Sequence, residues 1–209
     1  MTSFEHAMLA INGVLATGLQ RRYTWRIVAV AGVAGIAPDW DGITILGGLQ
    51  LFDHAHRVWG HSLLTCLLLA VVIGGLDYRF DGVGHGERLL GWLLRTPSGP
   101  ANTSERESSW HRWTTWMVVA VGATMSHLLA DLVFSGTAEL ADWHLQLFWP
   151  FSSAGFIYPL VHWGDAGVTI IFVVSMFAMV RLRSRIQLLA VITLLAVVVY
   201  IGIRGTTLP

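Results

Sequence analysis

Apolar residues in this chain gather into six runs, separated by polar stretches rich in arginine. The runs are Ala7–Leu19, Trp25–Pro38, Ser62–Leu76, Trp113–Phe134, Ala166–Val180 and Ile186–Ile203. A spanning helix needs about 20 apolar residues, within a range of about 17 to 25. The fourth and sixth runs meet that length outright. The other four are shorter and read as shallow, tilted or partly re-entrant pieces. The pattern predicts an all-α integral membrane bundle of four to six transmembrane helices, six when every run crosses. Runs one and two, joined by Gln20-Arg21-Arg22-Tyr23-Thr24, read as a helical hairpin.

Two polar connections stand out. Within Asp77–Arg112, residues Gly86–Thr96 read as a surface helix with Leu89, Leu90, Trp92, Leu93 and Leu94 as its apolar content, and Pro97–Ser109 reads as a loop. Within Ser135–Asp165, the run Leu147-Phe148-Trp149-Pro150-Phe151 is too short to span and reads as an interfacial dip or a cap over a site. No internal repeat breaks the chain, so residues 1–209 form one domain, with 77–112 a cytoplasmic loop and 135–165 an outer-face loop.

Composition supports the membrane reading. The chain is 54% hydrophobic and 12% charged, about half the charged share of a soluble domain. Net charge is zero, so no basic footprint for nucleic acid exists. All 13 basic residues are arginine, and their placement sets an orientation. The connections after runs one, three and five hold 11 of them: Arg21, Arg22 and Arg26; Arg79, Arg88, Arg95, Arg106 and Arg112; Arg181, Arg183 and Arg185. Cytoplasmic loops carry the arginine excess, so these connections are expected inside, with Arg57, Arg204 and both ends of the chain outside. Trp110, Trp113 and Trp116 then fall at the inner interface, and Trp40, Trp59, Trp143, Trp149 and Trp163 at the outer one. The first residues lack the basic n-region of a cleavable signal. Cys66 is the single cysteine, which rules out an internal disulfide and a cysteine zinc cluster and leaves it as a small buried hydrophobe.

That orientation brings the histidines and aspartates at the run ends to one face. His127 and Asp131 are spaced i, i+4, which puts both on one side of a helix. His127 lies about 21 Å along the helix from Trp113, within the outer part of the bilayer, where an ionisable side chain is costly. Asp39 and Asp41 flank Trp40 in a turn between Pro38 and Gly42. Two carboxylates so close repel, and a cation relieves them. His54, His56 and His61 fall within eight residues beside Arg57. Imidazole suits Zn²⁺, and a guanidinium can clamp an anionic oxygen in bidentate fashion. His6 precedes the first run on the same face, with Asp165 a weaker candidate for the same shell. Asp142, His144 and His162 read as solvated loop residues, and topology removes His85 and His111. Ser62 and Ser126 each adjoin a histidine, but no nucleophile motif, zinc-protease motif or phosphate loop surrounds them.

His6, then Pro38-Asp39-Trp40-Asp41, then His56-Arg57-x-x-Gly60-His61-Ser62, then His127-x-x-x-Asp131, then Trp149-Pro150-Phe151 together resemble the YdjM-like family, described as inner-membrane, metal-dependent hydrolases. The resemblance runs from His6 to about Asp165. The His127-x-x-x-Asp131 pair is also similar to a ligand pair of zinc-dependent phospholipase C. That enzyme's N-terminal tryptophan and its His-x-x-x-Glu pair have no counterpart here. The resemblance implies a bacterial inner-membrane, metal-dependent hydrolase, and the arginine placement puts its site on the periplasmic side.

The sequence thus leads to a membrane hydrolase with one or two divalent ions, Zn²⁺ first and Mn²⁺ or Mg²⁺ as alternatives. The expected ligands are His6, Asp39, Asp41, His56, His61, His127 and Asp131, with Asp39, Asp41 and Arg57 in catalytic roles. A phosphate ester of a lipid, entering from the bilayer, is the expected substrate. A metal or proton transporter and a non-catalytic, metal-stabilised scaffold are the competing classes.

Overall fold

The computed structural model describes residues 1–93, 110–135 and 144–207. Eight α-helices run in the order α1 (Ser3–Thr17), α2 (Gln20–Ile36), α3 (Leu49–Ala55), α4 (Leu63–Phe80), α5 (Gly82–Leu93), α6 (Trp110–Val133), α7 (Ala166–Arg181) and α8 (Ile186–Thr207). Two 3₁₀ segments, Ala37–Gly47 and Arg183–Arg185, join α2 to α3 and α7 to α8. All six apolar runs are helical. Four stretches are long and apolar enough to cross a membrane: Gln20–Gly47, Leu63–Phe80, Trp110–Val133 and Arg183–Thr207. The helices α1 and α7, at 15 and 16 residues, are shorter.

The hairpin is built by local chemistry at each end. Thr2 caps α1: its hydroxyl oxygen accepts from Glu5 N, and the Glu5 carboxylate accepts from Thr2 N at 2.8 Å, a reciprocal capping box. Gly18, at φ +76°, closes the helix in the left-handed region that favours glycine. The chain then turns back into α2, which kinks at Tyr23 and Thr24. Further along, the helices touch at Gly35, where a Cβ would lie 2.9 Å from the His6 carbonyl oxygen and 2.8 Å from Ala10 Cβ. Small residues let backbones approach in a membrane, where helices gain by packing rather than by leaving water. Ala10, Val14, Ala31 and Ala34 accordingly form the core with Ala120, Ala123 and Trp116 of α6. The α2 and α6 stretches are 56% buried, against 22% for α4 and 17% for α8. The hairpin and α6 are therefore central, and α4 and α8 present leucine and valine to lipid.

Three boundaries differ from the sequence reading. Run three was expected to end at Leu76, but α4 continues through Asp77 to Phe80. The Asp77 carboxylate has protein partners in place of water: it accepts from Arg26 Nε at 2.9 Å, Trp116 Nε1 at 2.8 Å and Val83 N at 2.8 Å. The expected turn at Pro38 is instead the start of the 3₁₀ segment Ala37–Gly47. A proline in the first turn removes no needed donor. The surface helix begins at Gly82 rather than Gly86, with Leu89, Trp92 and Leu93 exposed. Leu94, Pro97–Ser109 and the arginines at 95 and 106 lie outside the described residues, as do Asp142 and Trp143. Residues 144–165 pack on the helices: Leu63 N donates to Leu147 O at 2.9 Å, and buried Leu145 packs with Cys66 and Leu128.

Breaking a buried ion pair from one side strands its partner, at a cost of about 3–5 kcal/mol. Asp77→Ala is expected to lose about 3 kcal/mol or more by that rule. Asp81→Ala, whose carboxylate is about a quarter exposed and pairs with Arg26 and Arg88, is expected to lose no more than about 1 kcal/mol. Thermal melts of the two variants in the same detergent check the ordering.

Candidate metal centre

Four parts of the chain deliver polar side chains to one end of the bundle. The start of α1 brings His6, the 3₁₀ segment brings Asp39 and Asp41, the loop before α4 brings His56, Arg57 and His61, and α6 brings His127 and Asp131. His6, Asp41, Arg57, His61, His127 and Asp131 are all buried.

The two histidines at the centre are oriented through their Nδ1 atoms. His127 Nδ1–H donates to the Gly35 carbonyl at 2.7 Å, and His61 Nδ1 faces Asp41 Oδ2 at 3.1 Å. Such partners fix the ring and its tautomer in metal sites. His127 Nε2 is then left as an acceptor, and His61 Nε2 faces it at 3.1 Å. Two carboxylate oxygens join them. Asp39 Oδ1 lies 3.6 Å from His61 Nε2 and 3.5 Å from His127 Nε2. Asp131 Oδ2 lies 3.3 Å and 3.4 Å from the same atoms. Four ligand atoms about 2.0–2.1 Å from a tetrahedral ion stand about 3.3–3.4 Å apart, and these five separations are of the size that a shared metal ion requires.

The electrostatics call for positive charge at that point. Burial pushes the His61 imidazole pKa down, but Asp131, Asp39 and Asp41 outweigh it and hold it well above its ordinary value. In the metal-free chain a proton on His61 thus supplies the charge that a metal ion would bring.

Around these four atoms lies a supporting shell. Asp41 is fully engaged: Oδ1 faces His56 Nδ1 at 2.8 Å, and Oδ2 accepts from Gly60 N at 2.8 Å besides meeting His61. Asp41, His56 and His61 also form a second group with metal-ligand spacing. The first such group is His6, Asp39, His127 and Asp131. His6 stacks on His127, ring centroids 3.5 Å apart, with Nε2 3.1 Å from Asp131 Oδ1. Neither ring nitrogen of His6 makes a hydrogen bond among the described residues, and a buried imidazole in that condition fits a ligand better than a packing residue. Arg57 Nη2 stands 3.8 Å from Asp131 Oδ1, and the Met1 amino group 2.7 Å from it.

Other candidates fall elsewhere. His54 is exposed on α3, and His85 and His111 are exposed away from the cluster. Asp165 caps α7 through Gly167 N and pairs with Arg204 at 3.1 Å. Ser62 caps α4 by accepting from Thr65 N, and the Ser126 hydroxyl donates to Ala123 O, so neither serine is poised as a nucleophile. Sequence reasoning missed Ser3, which donates to Asp39 Oδ2 at 2.8 Å, and the part played by Gly35 and Gly60. A Cβ on Gly60 would fall 1.9 Å from the Pro38 carbonyl oxygen and 3.0 Å from Asp41 Oδ2. Its place between the motif residues Arg57 and His61 was the available signal.

An all-helical membrane protein with a His/Asp cluster able to hold a metal ion is therefore the class defined by fold and site. A family model described as "YdjM inner membrane protein" matches residues 1–207, and the chain belongs to that family. No curated protein and no solved structure matches it.

Gly60→Ala is expected to push the loop away from Pro38, release Asp41 from His61 and abolish metal retention. Gly42→Ala, with nothing within 4 Å of its Cβ position, is expected to retain metal like the parent. Metal content of both purified variants, by plasma mass spectrometry, decides.

Proposed function

We propose that this protein is a membrane-bound, metal-dependent hydrolase acting on a phosphate ester of a lipid. The observation that carries this reading is the meeting of four potential ligand atoms, on Asp39, His61, His127 and Asp131, 3.1–3.6 Å from the two central imidazole nitrogens. Those four residues would hold the ion, with His6 and the second oxygen of Asp131 available to a further one. A divalent ion held by three of these residues, or by all four with a fifth position for water, would supply a water of lowered pKa and a Lewis acid for the scissile group.

The chain's own groups divide the remaining work. Asp41 and the Gly35 carbonyl hold the two imidazoles in the ligand tautomer. Asp39 is the member of the four open to solvent, its side chain 21% exposed, so substrate approaches past it. Its Oδ2, held by Ser3, is placed to take a proton from the attacking water. Arg57 fixes positive charge beside Asp131, where an anionic ester oxygen would bind, and a guanidinium matches phosphate geometry. Trp40, Ile43 and Leu46 of the same 3₁₀ segment are exposed apolar residues, which suits a substrate with acyl chains. The similarity of the His-x-x-x-Asp pair to zinc-dependent phospholipase C supports the same ester class.

The test is hydrolysis of phospholipid and lipid phosphate substrates by metal-loaded protein. His127→Ala and Asp131→Ala are expected to lose both metal and turnover. Arg57→Ala is expected to keep its metal and lose about 10²-fold in kcat/KM, as when a charge-stabilising donor is removed, with Arg57→Lys giving partial rescue at best. Full metal occupancy without turnover on any ester would transfer the site to a scaffold role.

The arginine distribution supports a site facing the periplasm. A reporter fused after Pro209 is expected to be active outside the cytoplasm, and a cytoplasmic signal would reverse the orientation.

A further inference from the structure

At the membrane face opposite the metal cluster, the turn between α1 and α2 meets the turn between α7 and α8. Between them lies a groove of about 400 Å³ lined by Arg21, Ser184, Arg185, Gln187, Leu188 and Val191. Its floor is fixed by packing. Gln187 Nε2 donates to Ala16 O at 3.1 Å, and its amide sits 3.2 Å from where a Cβ on Gly18 would stand. The first turn of α8 is thereby docked onto the hairpin.

The charges in the groove are uncompensated. Arg26 and Arg88 on this face pair with Asp77 and Asp81, and Arg22 lies over the Tyr23 ring. Neither Arg21 nor Arg185 has an ion-pair partner among the described residues, and both are exposed. Ser184 places a hydroxyl beside them. Below, Leu188, Val191 and Leu195 are exposed at 55%, 39% and 59%. Spaced three and four apart, they form one lipid-facing stripe down α8. A phosphate-sized polar head with acyl chains beneath it matches this layout, and basic pockets between transmembrane helices on the arginine-rich side take such headgroups.

We infer that this groove binds one anionic phospholipid of the adjacent leaflet. Its phosphate sits between Arg21 and Arg185, and an acyl chain follows Leu188 and Val191. The site is separate from the metal centre, since the 17-residue α2 puts about 25 Å between them. The bound lipid ties α8 to the hairpin whose far end carries His6 and Asp39.

The test uses full-length protein purified in detergent and titrated with phosphatidylglycerol, phosphatidylcholine or inorganic phosphate. Bound lipid is counted by native mass spectrometry and stability is read as Tm. Phosphatidylglycerol is expected to bind one to one and raise Tm, while the other two give little. R21Q/R185Q is expected to bind it about thirty-fold more weakly, at about 1 kcal/mol per arginine, with metal content unchanged. R181Q/R183Q, of equal charge, is expected to bind like the parent. Should R21Q/R185Q not fold, Ser184→Glu places a carboxylate in the groove and carries the same expectation. Unchanged phosphatidylglycerol affinity in the groove variants would overturn the assignment. So would equal binding of phosphatidylcholine, or inorganic phosphate matching the lipid.

Discussion

Two imidazoles face each other at 3.1 Å through their Nε2 atoms, and the rest of the site follows from keeping them there. Asp39 and Asp131 flank that contact with negative charge, which a proton on His61 or a metal ion offsets. The fold supplies the restraint from behind, through the Gly35 carbonyl on His127 and Asp41 on His61. Gly35 can do this because it is also where α1 and α2 come closest. A side chain there would drive the helices apart and carry away both His6 and the carbonyl that orients His127. Helix packing and ligand geometry are one constraint at this point, so core and site cannot vary independently.

The bundle holds a second polar layer at its other end. Arg26, Asp77, Asp81 and Trp116 tie α2, α4 and α6 together where they approach the arginine-rich face. Between the two layers lie mainly alanines and valines of α1, α2 and α6. Buried charge in an apolar medium is tolerable only when paired, and this chain pairs it differently at each end. At the arginine-rich end the partners are arginine and indole N–H, complete within the protein. At the other end, carboxylates and imidazoles meet in groups able to hold a metal ion.

Much of this was legible in the sequence for a specific reason. Long apolar runs report helices directly, and the i, i+4 spacing of His127 and Asp131 fixes their relation whatever surrounds them. Asp39, His61 and His6 were found because each stands at a run end on one predicted face, and topology alone brought them together. The layers within the cluster were not legible. Nothing in Asp39-Trp40-Asp41 states that one carboxylate points to the centre and the other backs His61. That depends on a 3₁₀ path through Pro38, which sequence reads as a turn. Asp77 was taken for the start of a loop because a lone aspartate after an apolar run ordinarily meets water. Its partners, Arg26 and Trp116, lie 51 and 39 residues away, beyond any local pattern. Ser3 was invisible for the same reason.

The one-sidedness of the cluster bears on what kind of protein this is. An ion pathway needs polar groups at successive depths, so that each site hands the ion to the next. Here the ligands occupy a single level, and α1 and α6, which carry His6, His127 and Asp131, pack below it with α2 largely through alanine. A purely structural ion would be served by a sealed shell, as closed coordination is the mark of structural zinc. The Asp39 side chain is 21% exposed, so the four-residue group meets solvent, and Arg57 keeps a guanidinium beside the ligands although burying it is costly. Solvent access and a fixed positive charge are the features on which the proposed hydrolysis rests.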